Sequence, residues 1–150
     1  MNLDKILVAT DGSPASLKAA DTAVHLANFH PGCQIVLINV APLNILDLAT
    51  FRIPLSGEDL LPKQLQERLT KNSQDILEAT AAHIGSPSNV EKRSVLGHPA
   101  DVVCEMAGEL AADMVIIGNR WHGKIHRFFL GSVSDAIVHN APCQVLVVKT

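Results

Sequence analysis

The sequence predicts an α/β fold: one doubly wound domain built on a five-stranded parallel sheet. Four short apolar runs rich in Val, Ile and Leu, and a fifth, more polar one, recur along the 150 residues. Between them lie four longer stretches whose apolar residues repeat at helical spacing. Gly, Pro and Ser stand at the junctions, where helices start and stop. Strands that alternate with helices in this way form parallel sheets covered on both faces. The composition agrees, with 47% hydrophobic residues, 3% aromatic residues and no Tyr. Such a core must be aliphatic, which suits a buried parallel sheet. At this length a single domain spanning residues 1–150 is expected.

Residues 5–10, KILVAT, are the first strand, and the chain turns at Asp11-Gly12-Ser13. Ser13 followed by Pro14 is a helix start, with Ser as N-cap and Pro in the first helical position. Leu17, Ala20, Val24 and Ala27 then mark an apolar face, and Pro31-Gly32 ends the helix. Residues 34–40, QIVLINV, are the second strand.

Residues 41–62 are irregular, punctuated by Pro42, Pro54, Gly57 and Pro62. A structureless loop of that length is uncommon in a compact domain, so a helical turn near 45–50 is expected, with a flap or interface around it. The apolar residues of 43–53 read as core or as a patch for a partner. A second helix places Leu65, Leu69, Ile76, Ala79 and His83 on one face and stops at Gly85-Ser86-Pro87.

Residues 89–95, NVEKRSV, read as a polar edge strand whose main apolar residues are Val90 and Val95. Pro99 opens a third helix with Ala100, Val103, Ala107 and Leu110 facing inward. A fourth strand occupies 113–118. Ser132-Val133-Ser134-Asp135 has the form of a capping box with Asp in place of Glu, which makes Ser132 the expected cap of the last helix. Ala141-Pro142 ends it. Residues 144–148, QVLVV, are the last strand, an apolar edge that calls for cover, and a homodimer is the expected solution.

The net charge of −3 gives no global field that favours nucleic acid. The three cysteines are scattered, with no CxxC spacing, and read as reduced thiols that hold no metal. No apolar run approaches the length of a membrane span, and MNLDKILVAT lacks the apolar core of a signal peptide. A cytoplasmic protein with no membrane and no nucleic-acid partner is expected.

Chemistry concentrates between Asp113 and Ser134. The strand opens at Gly118 into a loop carrying Arg120, Lys124 and Arg127, with His122 and His126 beside them, and closes on Gly131-Ser132 before a helix. A strand end, a cationic loop and a helix entrance describe an anion site, best suited to phosphate. In doubly wound sheets ligands sit beyond the carboxyl ends of the strands where strand order reverses. The loops after the first and fourth strands meet there if those strands are neighbours. No G-x-G-x-x-G fingerprint follows the first strand, which argues against NAD or FAD. Gly118 with Gly123-Lys124 approaches a Walker A loop, but Ile125 stands where the Mg²⁺-binding hydroxyl belongs. His122 and His126 lack a nearby third ligand, so they read as part of a solvated basic loop. Asp11 also has a plain reading as turn chemistry.

Four segments in order, KILVATDGSPAS, GHPADVV, ADMVIIGNR and LGSVSDAIVHNAPCQVLVV, resemble the universal stress protein family over the whole chain. The resemblance implies the family's fold, akin to that of the adenine nucleotide alpha hydrolases, and an ATP site. Nucleotide-binding members carry G-x2-G-x9-G-[ST]. Here Gly118 matches the first glycine and Gly131-Ser132 the last pair, while Trp121 replaces the second glycine. A Trp there opposes close backbone approach and positive φ; it acts either as a lid or as a plug.

Position by position, the resemblance implies that Asp11 meets ribose hydroxyls or a phosphate-bound Mg²⁺. Ala9, Thr10 and Ser13 would flank it. The backbone of Val40 would read the adenine edge. Gly118, Asn119, Gly131, Ser132, Val133 and Ser134 would hold phosphates. Arg120, Lys124 and Arg127 join as phosphate contacts from their charge. The resemblance also implies dimerisation by pairing of the last strands across a twofold axis. No carboxylate or His is evidently placed as a base for water, so little ATP hydrolysis is expected. Two alternatives stand beside this reading. One is a dimeric interaction module whose phosphate site Trp121 blocks. The other, an adenylating enzyme, needs a Ser-Gly-Gly-x-Asp-Ser loop, which Thr10-Asp11-Gly12-Ser13 is not.

Overall fold

The computed structural model describes residues 3–42, 62–119 and 131–150. In chain order the elements are β1 (Lys5–Ala9), α1 (Pro14–Ala27), β2 (Gln34–Pro42), α2 (Lys63–His83), β3 (Val90–Gly97), α3 (Pro99–Glu109), β4 (Met114–Gly118), α4 (Ser132–Asn140) and β5 (Gln144–Val148). The strands form one sheet in the order β3-β2-β1-β4-β5. Every pairing is parallel. The chain builds outward from β1 to β3, then returns to the other side of β1 with β4. Strand order therefore reverses between β1 and β4, which pair from Ile6↔Met114 to Ala9↔Ile117. The expected α/β class and the edge position of β3 and β5 both hold.

Alternation along the central strands divides the core in two. Ile6, Val8, Ile35, Leu37 and Ile116 face α1 and α2, where Ala19, Ala20, Ala23, Leu77 and Ala81 cover them. Leu7, Val36, Ile38, Val115 and Ile117 face α3 and α4, against Ala100, Val103, Ala107 and Ile137. Each such Ile, Leu or Val contributes about 1.5–3 kcal/mol by leaving water. Among the described residues no helix is long and apolar enough to cross a membrane.

Four expectations need correction. The buried stripe of α1 is Ala15, Ser16, Ala19, Ala20 and Ala23, while Leu17, Val24 and Ala27 lie at its margin. Small residues let this helix lie close on the sheet, so the larger ones move to its flank. On α2 the buried residues are Leu65, Ser73, Leu77, Thr80 and Ala81; Ala79 and His83 are exposed. Two hydroxyls occupy inward positions that apolar periodicity passes over. On α4 the N-cap is Gly131, with no side-chain capping bond, and Ser132 is already helical. The strand expected at 34–40 runs on to Pro42, which pairs with Gly97 at the sheet's edge. The helical turn expected near 45–50 lies outside the described residues.

Candidate functional site

The turn after β1 is locally determined. Gly12 adopts φ +78°, the left-handed region that glycine enters without a steric cost. Asp11 Oδ1 accepts a hydrogen bond from the Ser13 amide at 2.9 Å, the Asx arrangement that closes such turns. Ser13 Oγ accepts from the Ser16 amide at 3.3 Å and caps α1, as expected. Asp11 is 6% exposed, so a carboxylate is held nearly buried at the end of β1. Its turn role is real, and its charge still lies at the reversal point of the sheet.

Gly118 ends β4 beside this turn. A Cβ placed on it would come within 2.7 Å of the Ala15 carbonyl carbon, so α1 itself demands a glycine there. Asn119 then ties three elements together. Its amide donates to Val148 O at 2.9 Å, and its carbonyl accepts from the Gly131 amide at 3.0 Å. The two ends of the basic loop are thereby fastened to each other and to the end of β5. Among the described residues, the buried Asn119 Oδ1 has no hydrogen-bond partner. A buried acceptor of this kind calls for a donor from outside the described chain.

α4 starts at this point. Ser134 Oγ turns back to donate to Gly131 O at 2.9 Å. It therefore does not cap, and Gly131 has no side chain with which to do so. The amides of the first turn, at Ser132, Val133 and Ser134, have no intrahelical acceptor, and the helix lacks a side-chain cap. Ser132 is exposed and Val133 half-buried. Such an end is suited to an anion.

Val40 lies one strand over. β1 and β2 pair only as far as Ala9↔Ile38, and Thr10 N–H still donates to Ile38 O at 2.9 Å. By strand alternation the polar backbone groups of Val40 point to the same side as those of Ile38, where β1 has turned away. Asn39 Nδ2 takes the Thr10 carbonyl at 2.8 Å, the place that a continued ladder would give to the Val40 amide. The Val40 side chain is buried in the core.

Thr10, Asp11, Ser13, Gly118, Asn119, Gly131, Ser132, Val133 and Ser134 thus gather around the carboxyl ends of β1 and β4. Ala9 packs wholly inside the sheet, 0% exposed. The Thr10 side chain points inward, to Thr80 and Ser16. Arg120, Trp121, Lys124 and Arg127, with His122 and His126, lie outside the described residues. Sequence reasoning missed Ser16, Asn39, Ser73 and Thr80, which form a buried polar seam beneath the turn, and Ser94, an exposed residue of β3 that reaches Ser73. Ser73 and Thr80 are seven apart on α2, two turns along one face, and that spacing was the available signal.

Among the described residues no group of three or more His, Cys, Asp or Glu could hold a metal ion. Asp11 offers one carboxylate at the crevice, enough to meet a cation already carried by phosphates but not to hold one alone. Burial pushes the thiols of Cys33, Cys104 and Cys143 above the ordinary range, and nearby carboxylates add to this. They are protonated at neutral pH and take no part in the crevice.

The class defined here is a doubly wound α/β domain with a polar crevice at its strand-order reversal, floored by an uncapped helix end. The profile of the Universal stress protein family matches residues 2–149, and the chain belongs to that family. A putative universal stress protein, SH1215 of Staphylococcus haemolyticus, is 33% identical, over 97% of this chain and 84% of its own. The universal stress protein UspA from Lactobacillus plantarum has a similar fold, with a TM-score of 0.78 at 22% identity over 99% of both chains. So does a universal stress protein in complex with cAMP, with a TM-score of 0.68, 24% identity, and 99% and 98% of the two chains covered. A universal stress protein from Archaeoglobus fulgidus in complex with dAMP has a TM-score of 0.66 at 19% identity, over 99% of this chain and 100% of its own.

Proposed function

We propose that this protein binds ATP or a related adenine nucleotide at the carboxyl ends of β1 and β4, as a cytoplasmic stress-response homodimer with little or no ATPase activity. The observation that carries the reading is the start of α4, which meets the crevice with no side-chain cap while Asn119 Oδ1 lies buried beside it, without a partner among the described residues. Phosphate oxygens accept from the first-turn amides and the Ser132 hydroxyl, helped by the helix dipole and by the charges of Arg120, Lys124 and Arg127. Asp11 meets the ribose hydroxyls or the Mg²⁺ that accompanies the phosphates, and the Val40 backbone reads the adenine edge. Mg²⁺ would supply neutralisation of phosphate charge. The two structural neighbours bound to cAMP and dAMP support an adenine ligand.

Hydrolysis needs a group free to orient water. Asp11, the carboxylate of the crevice, is engaged with the Ser13 amide, an arrangement that holds phosphates without activating water. β5 is an edge of the sheet with half-buried apolar residues, which supports self-pairing of two copies there.

A second reading, a dimeric module that binds no nucleotide because Trp121 fills the phosphate site, draws on one specific observation. Gly118 and Asp11 each have a packing or turn role that needs no ligand. Calorimetric titration with MgATP, with fluorescence of the single Trp as a second readout, separates the two. Nucleotide binding should change that fluorescence and raise Tm by mass action. Absence of co-purified nucleotide after acid extraction, together with no thermal shift at millimolar ATP, would overturn the nucleotide reading. Binding gained by Trp121→Gly would then identify the plug.

A further inference from the structure

The Asp11 turn does not rest on its own strand alone. Beneath it, Thr80 Oγ1 of α2 lies 2.9 Å from Thr10 Oγ1, across 70 residues of sequence. Thr10 Oγ1 donates to Ser16 Oγ at 3.2 Å, and Ser16 Oγ donates to Ser13 O at 2.9 Å. Either hydroxyl of the Thr10–Thr80 pair can supply the proton between them. A continuous chain of hydroxyls thus links Thr80 through Thr10 and Ser16 to the Ser13 carbonyl. Thr10 Oγ1 also accepts the Gly12 amide at 3.2 Å, and Ser16 Oγ accepts the Asp11 amide at 3.4 Å. Both threonines and Ser16 are fully or almost fully buried.

A second arm reaches the same residue. Ser94 Oγ of β3 donates to Ser73 Oγ at 2.7 Å, and Ser73 Oγ donates to Asn39 O at 3.5 Å. Asn39 Nδ2 in turn holds the Thr10 carbonyl at 2.8 Å. α2 also touches the turn directly, since Ile76 Cγ2 would be 3.6 Å from a Cβ on Gly12. Helical Thr hydroxyls commonly bond the carbonyl four residues back, as Thr22 does to Lys18 O. Thr80 instead pairs with Thr10 across the domain.

We propose that Thr80 is a positioning residue for the nucleotide site: by its hydrogen bond with Thr10 it fixes the backbone of Asp11 and Gly12, and so couples the seating of α2 to the geometry of the crevice. The proposal rests on the nucleotide reading for its ligand, but not for its effect on the turn. Thr80→Val keeps the volume and removes the hydroxyl that pairs with Thr10, whereas Thr80→Ser restores it.

The test combines amide hydrogen exchange at Asp11 and Gly12, followed by NMR, with MgATP titration. Thr80→Val should speed exchange at both amides and weaken ATP by about three- to tenfold, the range that one lost hydrogen bond commands. Thr80→Ser should return both to wild-type values, which a purely volumetric role would not produce. If Thr80→Val cannot be purified, Ser16→Ala cuts the same chain on its other side and should give the same two changes. Wild-type exchange and affinity in these hydroxyl-deleted variants would overturn the proposal. Should the wild-type protein bind no ATP, the nucleotide reading fails on its own account, and exchange at Gly12 alone decides whether Thr80 positions the turn.

Discussion

Gly118 and Ala15 are in such close approach that any side chain at 118 would press on the α1 backbone, 2.7 Å from the Ala15 carbonyl carbon. The glycine that opens the candidate phosphate loop is therefore also the glycine that lets α1 lie down on β4. One residue answers to packing and to the crevice at once, because the helix entering after β1 and the strand end of β4 form two walls of the same site.

Gly118→Ala should therefore destabilise the fold even without ligand. Overpacking against backbone costs about 1–3 kcal/mol, and urea denaturation of the unliganded protein measures it. An unchanged midpoint would mean that α1 does not lie this close to β4.

Asp11→Asn separates the two roles of Asp11. Asn retains an oxygen for the Ser13 amide, so stability should change by less than about 1 kcal/mol. The charge is lost, and affinity for MgATP should fall by about tenfold or more, as expected when a charged hydrogen-bonding group is removed. Equal binding by the variant, read by calorimetry, would confine Asp11 to turn formation.

Ser132→Asp should move stability and binding in opposite directions. A carboxylate on the first turn of α4 complements the helix dipole and should add about 0.3–1 kcal/mol. The same charge competes with an incoming phosphate, and ATP affinity should drop by about fivefold or more. A variant that is more stable and binds ATP equally well would place the phosphates elsewhere.

The three thiols give a pH prediction. Burial first, and neighbouring acidic groups second, raise Cys33 and Cys104 above the ordinary thiol range. For Cys143 burial again dominates, opposed in part by a backbone hydrogen bond from Val115. A raised pKa means that the native state holds its protons more tightly than the unfolded chain. The stability this represents is present below the unfolded thiol pKa of about 8.5 and is lost as pH climbs above it. Alkylation by iodoacetamide at pH 8 should be slow in the folded protein and fast in urea. Rapid labelling of the native protein would contradict the burial.

Much of the polar seam was hidden for a definite reason. Ser73 and Thr80 sit on a helix rich in charge, where single hydroxyls read as solvent-facing, and their partners Asn39 and Thr10 are 34 and 70 residues away. The cap of α4 lies one residue before the expected Ser132 because Ser132 is already helical and the extended Gly131 precedes it, a backbone choice that side-chain chemistry alone does not reveal. The alanine stripe of α1 was passed over because hydropathy favours Leu17 and Val24, whereas close approach favours the smallest side chains.

Read alone, the residues already carry the alternation of strands and helices seen among the described residues, the Ser13-Pro14 helix start and the family. Those follow from local periodicity, turn chemistry and ordered motifs, all of which act over a few residues. Only the tertiary structure decided that β1 and β4 are neighbours, that Gly118 serves Ala15, and that α2 reaches beneath the Asp11 turn. These are contacts between distant segments, chosen by how side-chain volumes and buried hydrogen bonds are satisfied together in three dimensions, and no local pattern encodes them.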